Sequence, residues 1–362
     1  MVLDNQTQNK TATGEKKAKL NVGVPRALYY YKFFPFWHEM LTRMGCDIVL
    51  SPPTNKKILE MGATFSSSEL CVPVKLYFGH ILWLLENKPN LDYIFVPRYV
   101  SLNKYHYFCP KFLALPDTVR NTVKPKIPVL EWEINAKKRA NIESAIILGR
   151  KIGIEKEEAG KAYIYAINRF KQFQNLQRKG VLFHDAMHRM YPRLVKKKRK
   201  MRNKSGDEEI DKNYPITILV LGHPYNTYDP LINLNLAERL EKYHVNVIML
   251  EQLPEETFKK RVTINRHFHN YWNMEEELLQ GARHFLLDAK DEIDGVIFLI
   301  SFACGPDSLI QELIMRDFKK MKIPFLDLIL DEHSGESGMV TRIESFIDMI
   351  RRKKYRDLIE TK

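Results

Sequence analysis

Short runs of apolar residues, separated by stretches with helical spacing, divide most of the chain into two similar halves. A continuous apolar run of about four to eight residues is typical of a strand buried on both faces of a parallel sheet. Four such runs lie in the first half: Leu20–Val24, Asp47–Leu50, Tyr93–Pro97 and Ile127–Trp132. Four more lie in the second half: Ile216–Leu221, Val245–Leu250, Val296–Ser301 and Phe325–Leu330.

The segments between these runs carry apolar residues at helical spacing, notably Phe33–Met44, Pro73–Glu86, Pro110–Val123 and the closing stretch Glu336–Arg352. Strands that alternate with helices favour βαβ units around a parallel sheet. The predicted fold class is therefore α/β, with two doubly wound lobes of mostly parallel sheet that could be two copies of one plan.

The segment between the halves, residues 136–213, has two or three helical patterns and no strand-like run, and it ends in the polar stretch KKKRKMRNKSGDEEIDK. We predict a helical connection that ends in an exposed basic linker. The predicted domains are a disordered tail at 1–19, an N-terminal α/β lobe at 20–135, the helical connection at 136–213 and a C-terminal α/β lobe at 214–362.

All of the excess positive charge lies in residues 136–205 of that connection, because the rest of the chain has slightly more acidic than basic residues. The chain has 57 Lys+Arg and 44 Asp+Glu, a formal net charge of +13, and residues 136–205 alone hold 20 Lys+Arg and 5 Asp+Glu. The run Lys196–Lys200 has few aromatic neighbours and no known nucleic-acid motif, which favours a solvated linker over a nucleic-acid site. Docking of segment 196–204 on an acidic partner surface is the other interpretation.

We expect neither a membrane span nor a secretion signal. No stretch approaches the roughly 18–20 apolar residues that span a bilayer, and the polar N-terminus lacks an apolar signal core. Four cysteines without tight spacing are not typical of a secreted disulfide framework. We expect a cytoplasmic protein with reduced thiols.

Three of the four cysteines precede a proline that would open a helix: CVP at 71–73, CP at 109–110 and CGP at 304–306. Because proline favours the first helical position, the sulfurs of Cys71, Cys109 and Cys304 are expected at helix N-termini. The positive end of the helix dipole should lower their pKa values there. Cys46 instead opens a strand, and we interpret it as a buried structural thiol.

Three thiolates with a fourth position open suit an iron–sulfur cluster with one exchangeable iron, or a zinc site completed by histidine. The sequence separations of 38 and 195 match no short metal motif. Three buried structural thiols are therefore an alternative of equal weight at this point.

Polar residues also follow several predicted strands. Glu332 and His333 could donate a proton or anchor a substrate as catalytic residues, or they could belong to a capped helix start with Ser334 or Ser337 as the cap. His223, Tyr225 and Asp229 could line a crevice or form a turn, and His267, His269 and Trp272 are better explained by packing than by a metal. Arg26 and Lys75 fit solvated charges better than anion ligands.

Neither GxxxxGK[ST] nor GxGxxG occurs, so ATP hydrolysis would need another chain.

Several longer motifs resemble one family: GVPRALYYYKFFPFW (23–37), LSPPTNKKILEMG (50–62), SELCVPVKLYFGH (68–80), FVPR (95–98), YFCPKF (107–112), GHPYNTYD (222–229), SFACGPDS (301–308) and DEHSGESGMVTRIESF (331–346). This is the family associated with acyl-CoA dehydratase activases, itself similar to subunits of 2-hydroxyacyl-CoA dehydratases and benzoyl-CoA reductases. The resemblance covers nearly all of both lobes and skips the tail and the basic segment.

The resemblance implies a cubane [4Fe–4S] cluster held between two α/β lobes by Cys71, Cys109 and Cys304. It also implies an ATP-hydrolysing activase protein or domain that delivers low-potential electrons in anaerobic metabolism, so that a substrate is reduced or dehydrated. The likeness is of plan and cysteine placement, and leaves open whether the substrate is a CoA thioester and whether the assembly is a homo- or heterodimer. A non-catalytic electron carrier or scaffold of an activase complex is the first alternative. A basic nucleic-acid-binding protein with structural cysteines is the second.

Overall fold

A computed structural model describes residues 19–195, 216–259, 270, 272–333 and 335–360. Two four-stranded sheets, with every pairing parallel, form the centres of two lobes. The first sheet has the order β2-β1-β3-β4 and the second β6-β5-β7-β8. The strands are β1 (Leu20–Val24), β2 (Cys46–Leu50), β3 (Tyr93–Ser101), β4 (Val129–Asn135), β5 (Ile216–Gly222), β6 (Val245–Met249), β7 (Gly295–Ser301) and β8 (Phe325–Leu330). The predicted α/β class with two lobes is confirmed.

Helices connect the strands in both lobes, as the periodicity predicts. In the first lobe they are Tyr30–Arg43, Lys56–Phe65, Val72–Asn87, Pro110–Leu113 and Leu115–Thr118, with a π-helical turn at Val119–Val123. In the second they are Pro224–Thr227, Leu236–Lys242, Asn273–Leu287, Gly305–Lys320 and Glu336–Glu360, with 3-10 turns at Leu250–Gln252, Glu255–Phe258 and Lys290–Glu292.

The connection between the lobes is helical as far as the structure describes it, with helices Asn141–Lys151, Lys156–Arg178 and Phe183–Met190. The long middle helix packs on the first helix of the N-terminal lobe: the rings of Phe36 and Tyr163 lie 5.5 Å apart, and those of Phe33 and Phe170 lie 6.1 Å apart. This part therefore shares the core of the first lobe. The predicted tail, except Lys19, and the basic run Lys196–Lys200 lie outside the described residues.

Two glycines bring a pair of helices into backbone contact. A Cβ at Gly62 would lie 2.0 Å from the carbonyl oxygen of Lys75, and a Cβ at Gly79 would lie 2.0 Å from that of Ile58. Only glycine permits so close an approach. The contact fixes helix Val72–Asn87, and with it the residue that precedes this helix, against Lys56–Phe65.

The carboxyl ends of the two sheets face each other. Tyr29, which follows β1, and Phe112, which follows β3, have ring centroids 6.1 and 6.0 Å from the ring of Tyr225, which follows β5. In open α/β sheets ligands bind beyond the carboxyl ends of the strands, where the strand order reverses. The described helices include none that is long and apolar enough to cross a membrane.

Candidate metal centre

Cys71, Cys109 and Cys304 each lie at the N-cap of a helix, before Val72–Asn87, Pro110–Leu113 and Gly305–Lys320. Each of these helices has proline in its first two positions. This is the placement that the sequence predicts. None of the three thiols makes a side-chain cap hydrogen bond in its helix, although each lies near a backbone N–H of the first helical turn.

One lysine joins the three cysteine segments. Lys111, two residues after Cys109, donates hydrogen bonds of 3.1 Å to two carbonyl oxygens, those of Glu69 and Ala303. Glu69 precedes Cys71 by two residues, and Ala303 directly precedes Cys304. The three segments, which are far apart in sequence, therefore meet around a single ammonium group.

The thiols also lie near enough to influence one another. A charge on Cys71 raises the pKa of Cys109 and of Cys304, and the Lys111 ammonium opposes the rise in the pKa of Cys71. Burial is the largest cause in all three: it raises the pKa of Cys71 and of Cys304, and it raises that of Cys109 to about 11. The expected lowering by the helix ends is wrong, because desolvation outweighs the nearby backbone N–H groups.

Cys46 lies elsewhere. It begins β2 opposite Leu20, at the amino end of the sheet, and its side chain is buried. Burial raises its pKa to about 11. This placement agrees with a structural thiol.

A buried histidine and two carboxylates lie next to the cysteines. His223 follows β5, Glu275 lies in the first turn of helix Asn273–Leu287, and Asp307 lies in the first turn of Gly305–Lys320. His223 Nε2 is 2.7 Å from Asp307 Oδ1 and 3.7 Å from Glu275 Oε1. Although burial lowers it, the two carboxylates raise the pKa of His223 to about 10. Charges on Asp307 and Glu275 also raise the pKa of Cys304.

Two buried tyrosines flank these groups. Burial is the main cause that raises the pKa of Tyr29 and of Tyr225, and smaller contributions come from Cys109 and Glu275 for the first and from Asp307 and Cys304 for the second. The hydroxyl of Tyr29 has no hydrogen-bond partner among the described residues. Such a buried orphan donor calls for a partner that the described residues do not supply.

Residues 21–253 match the family described as "CoA enzyme activase uncharacterised domain". The chain belongs to this family. The match covers the first lobe, the connection and the start of the second lobe, and it includes Cys71, Cys109 and His223. No curated protein matches the chain by sequence. The predicted relation to an activase-associated family is confirmed.

In this activase-related chain, Glu332 and His333 differ in their surroundings. Glu332 forms an ion pair with Lys75, which is 3% exposed and lies one helical turn after Cys71. The interpretation of Lys75 as a solvated charge is therefore wrong, because the helix that carries it is apolar on nearly all sides. The side chain of His333 is 87% exposed. A catalytic role for Glu332 and His333 stays a prediction.

Asp229 and Arg26 belong to a separate polar chain between the lobes. The backbone N–H of Arg26 donates to Ser51 Oγ (2.9 Å), and this oxygen lies 2.8 Å from His80 Nδ1. His80 Nε2 lies 3.0 Å from Thr54 Oγ1, which donates to Asp229 Oδ2 (2.5 Å). A neutral His80 that accepts at Nδ1 and donates at Nε2 satisfies every bond in this chain.

Sequence reasoning missed Lys111, Glu275 and Asp307. Lys111 and Asp307 lie in the short motifs after Cys109 and Cys304, and Glu275 lies where acidic residues open a helix. Each looks locally like a helix-start residue, and only the tertiary fold brings them together. The histidines His267 and His269 lie outside the described residues.

Proposed function

We propose that Cys71, Cys109 and Cys304 bind an iron–sulfur cluster, of the [4Fe–4S] type, and that the protein receives low-potential electrons from an ATP-hydrolysing activase to reduce or dehydrate a substrate. The single observation that carries this proposal is the pair of hydrogen bonds from Lys111 to the segments of Cys71 and Cys304. They support it because they join the backbone segments that carry three reduced thiols, two in the first lobe and one in the second.

The residues present fit such a cluster. Three cysteine sulfurs without cap bonds match the usual cysteine ligation of iron–sulfur clusters and leave one iron for another ligand. Their raised pKa values keep them protonated until metal binds, and a coordinated thiol loses its proton. The orphan hydroxyl of Tyr29 adds a buried donor near Cys109.

When bound, the cluster supplies one-electron transfer at low potential. The chain's own residues exclude water from the centre through the rings of Tyr29, Phe112 and Tyr225. The positive charge of Lys111 lies beside Cys71 and favours the more negative, reduced charge state. Glu332, held by Lys75 near the same helix, and His333 are the proposed proton donors or substrate anchors.

Membership of an activase-related family supports a separate activase as the electron donor. A non-catalytic carrier or scaffold within such a complex would use the same cysteines. Mixing the protein with its activase, ATP and a reductant separates the two: substrate turnover supports an enzyme, and cluster reduction without turnover of acyl-CoA substrates supports a carrier.

The cluster itself is tested by purifying the full chain without oxygen and measuring iron and acid-labile sulfide. We expect about four irons per chain, with most lost in C71S, C109S and C304S and retained in C46S, the matched control. Circular dichroism melts verify that all four variants fold. Iron-free wild type after anaerobic reconstitution, or equal iron loss in C46S, would overturn the proposal.

A further inference from the structure

From the geometry we infer that His223, Glu275 and Asp307 form a second metal site, for a divalent transition-metal ion such as Zn²⁺. One imidazole nitrogen and two carboxylate oxygens, within 4.8 Å of one another, would ligate it. This site does not depend on the proposed iron–sulfur cluster.

The chemistry of the three donors suits such an ion. Zn²⁺ in proteins takes histidine nitrogen and Asp or Glu oxygen, often as three protein ligands with a fourth position left for water or a substrate. The three side chains come from three different elements: the end of β5 and the first turns of helices Asn273–Leu287 and Gly305–Lys320. Rigid elements therefore hold all three donors.

The two carboxylates are buried, so their excess negative charge is unfavourable in free energy unless a cation is bound. His223 and Asp307 are each 1% exposed and Glu275 is 4% exposed. Two ionised carboxylates in that environment carry a desolvation cost that the single positive charge of a protonated His223 imidazole offsets only in part. A divalent ion would neutralise the two carboxylates, with His223 as the neutral third ligand.

The shortest contact inside the group is an ion pair that is not aligned as a hydrogen bond. His223 Nε2 and Asp307 Oδ1 approach to 2.7 Å, yet Asp307 Oδ1 and His223 Nδ1 both lack an aligned hydrogen-bond partner in the described part of the chain. Binding of the ion replaces the Nε2 proton, which passes to solvent.

The experiment uses the full chain with C71S, C109S and C304S, so that the three thiols cannot bind the probe. After dialysis against Zn²⁺ and then metal-free buffer at pH 8, we expect about one zinc per chain and a higher melting temperature with zinc than without. X-ray absorption should show nitrogen and oxygen ligands and no sulfur, which also excludes Cys46.

In that background, H223N, E275Q and D307N should each weaken zinc binding at least about tenfold. The matched control H80Q changes another buried histidine and should bind zinc as the parent does. Melting curves without metal separate loss of the site from loss of the fold, and E275Q, the mildest change, still tests the site if H223N unfolds. A folded parent that retains no zinc, a sulfur ligand in the absorption spectrum, or unchanged zinc affinity in E275Q and D307N would overturn the inference.

Discussion

The Lys111 ammonium group donates a 3.1 Å hydrogen bond to the carbonyl oxygen of Ala303, from the first lobe to the residue directly before Cys304. A second bond from the same nitrogen reaches Glu69, near Cys71. One side chain thus ties the lobes together at the proposed cluster. Its contribution can be tested separately from that of the thiols.

K111M removes both hydrogen bonds and the positive charge beside Cys71 while keeping most of the side-chain volume. Because a nearby positive charge stabilises the reduced state, the midpoint potential of the bound cluster should become roughly 20–60 mV more negative. Potentiometric titration followed by electron paramagnetic resonance measures the shift. K57M, at an exposed lysine of helix Lys56–Phe65, is the matched control and should leave the potential unchanged. A positive shift in K111M would contradict this role.

The ion pair of Lys75 and Glu332 should respond asymmetrically to loss of either partner. E332Q leaves a buried ammonium without its counter-charge, which should lower the free energy of unfolding by about 2 kcal/mol. K75M should lower the free energy of unfolding by less, because Glu332 is more exposed than Lys75 and can turn toward water. Urea unfolding of both variants and of K75M/E332Q measures the coupling. If the two single variants lose equal free energies of unfolding, and the loss in K75M/E332Q is their sum, the two side chains are not coupled.

Acid should destabilise the fold through His80. Burial is the largest cause that lowers its pKa to about 3, whereas an unfolded histidine titrates near 6.5. As the pH falls below about 6.5 the unfolded chain binds a proton that the folded chain does not, so stability falls until about pH 3. Between pH 6.5 and 5, proton binding to His80 in the unfolded chain should lower the free energy of unfolding by about 1.5 kcal/mol.

H80Q isolates that contribution, because glutamine can occupy the polar chain but does not titrate in this range. Urea unfolding at pH 5, 6, 7 and 8 should give a shallower pH dependence for H80Q than for the parent. Asp229, whose pKa burial raises, contributes with the opposite sign in both proteins and so cancels in the comparison. The same slope in both proteins would contradict the prediction.

The helical connection should be part of the folded core. Phe173 is fully buried in helix Lys156–Arg178, and its ring centroid lies 5.6 Å from that of Phe183. We therefore expect F173A to lower the free energy of unfolding by about 3–5 kcal/mol. Ile164 on the same helix is 55% exposed, and I164A should change the free energy of unfolding by no more than about 0.5 kcal/mol. Equilibrium unfolding compares the two, and similar small effects would mean that the connection packs loosely.

Local patterns predict most of the fold because the strands are mainly apolar: the predicted Phe325–Leu330 matches β8 residue for residue, and Leu20–Val24 matches β1. β3 extends beyond its apolar run to Ser101, where Arg98 pairs with Glu131 of β4 across the sheet. The predicted helix Pro110–Val123 is divided in the structure, with Pro116 at the start of its second piece.

The sites are less accessible to sequence reasoning. Proline after each cysteine predicts the helix starts, because that signal is local. The raised thiol pKa values depend on burial from both lobes, which no local pattern records. The group of His223, Glu275 and Asp307 joins three elements far apart in the chain, so no spacing could reveal it. Lys75 did carry a signal, because it lies within an otherwise apolar helical stretch.

The shared strand orders β2-β1-β3-β4 and β6-β5-β7-β8 place Cys109 and Cys304 at corresponding positions, each after the third strand of its lobe. Cys71 has no counterpart cysteine in the second lobe. The two lobes, which share one strand order, therefore contribute unequally to the proposed cluster. The first lobe supplies Cys71 and Cys109, and the second supplies Cys304 alone.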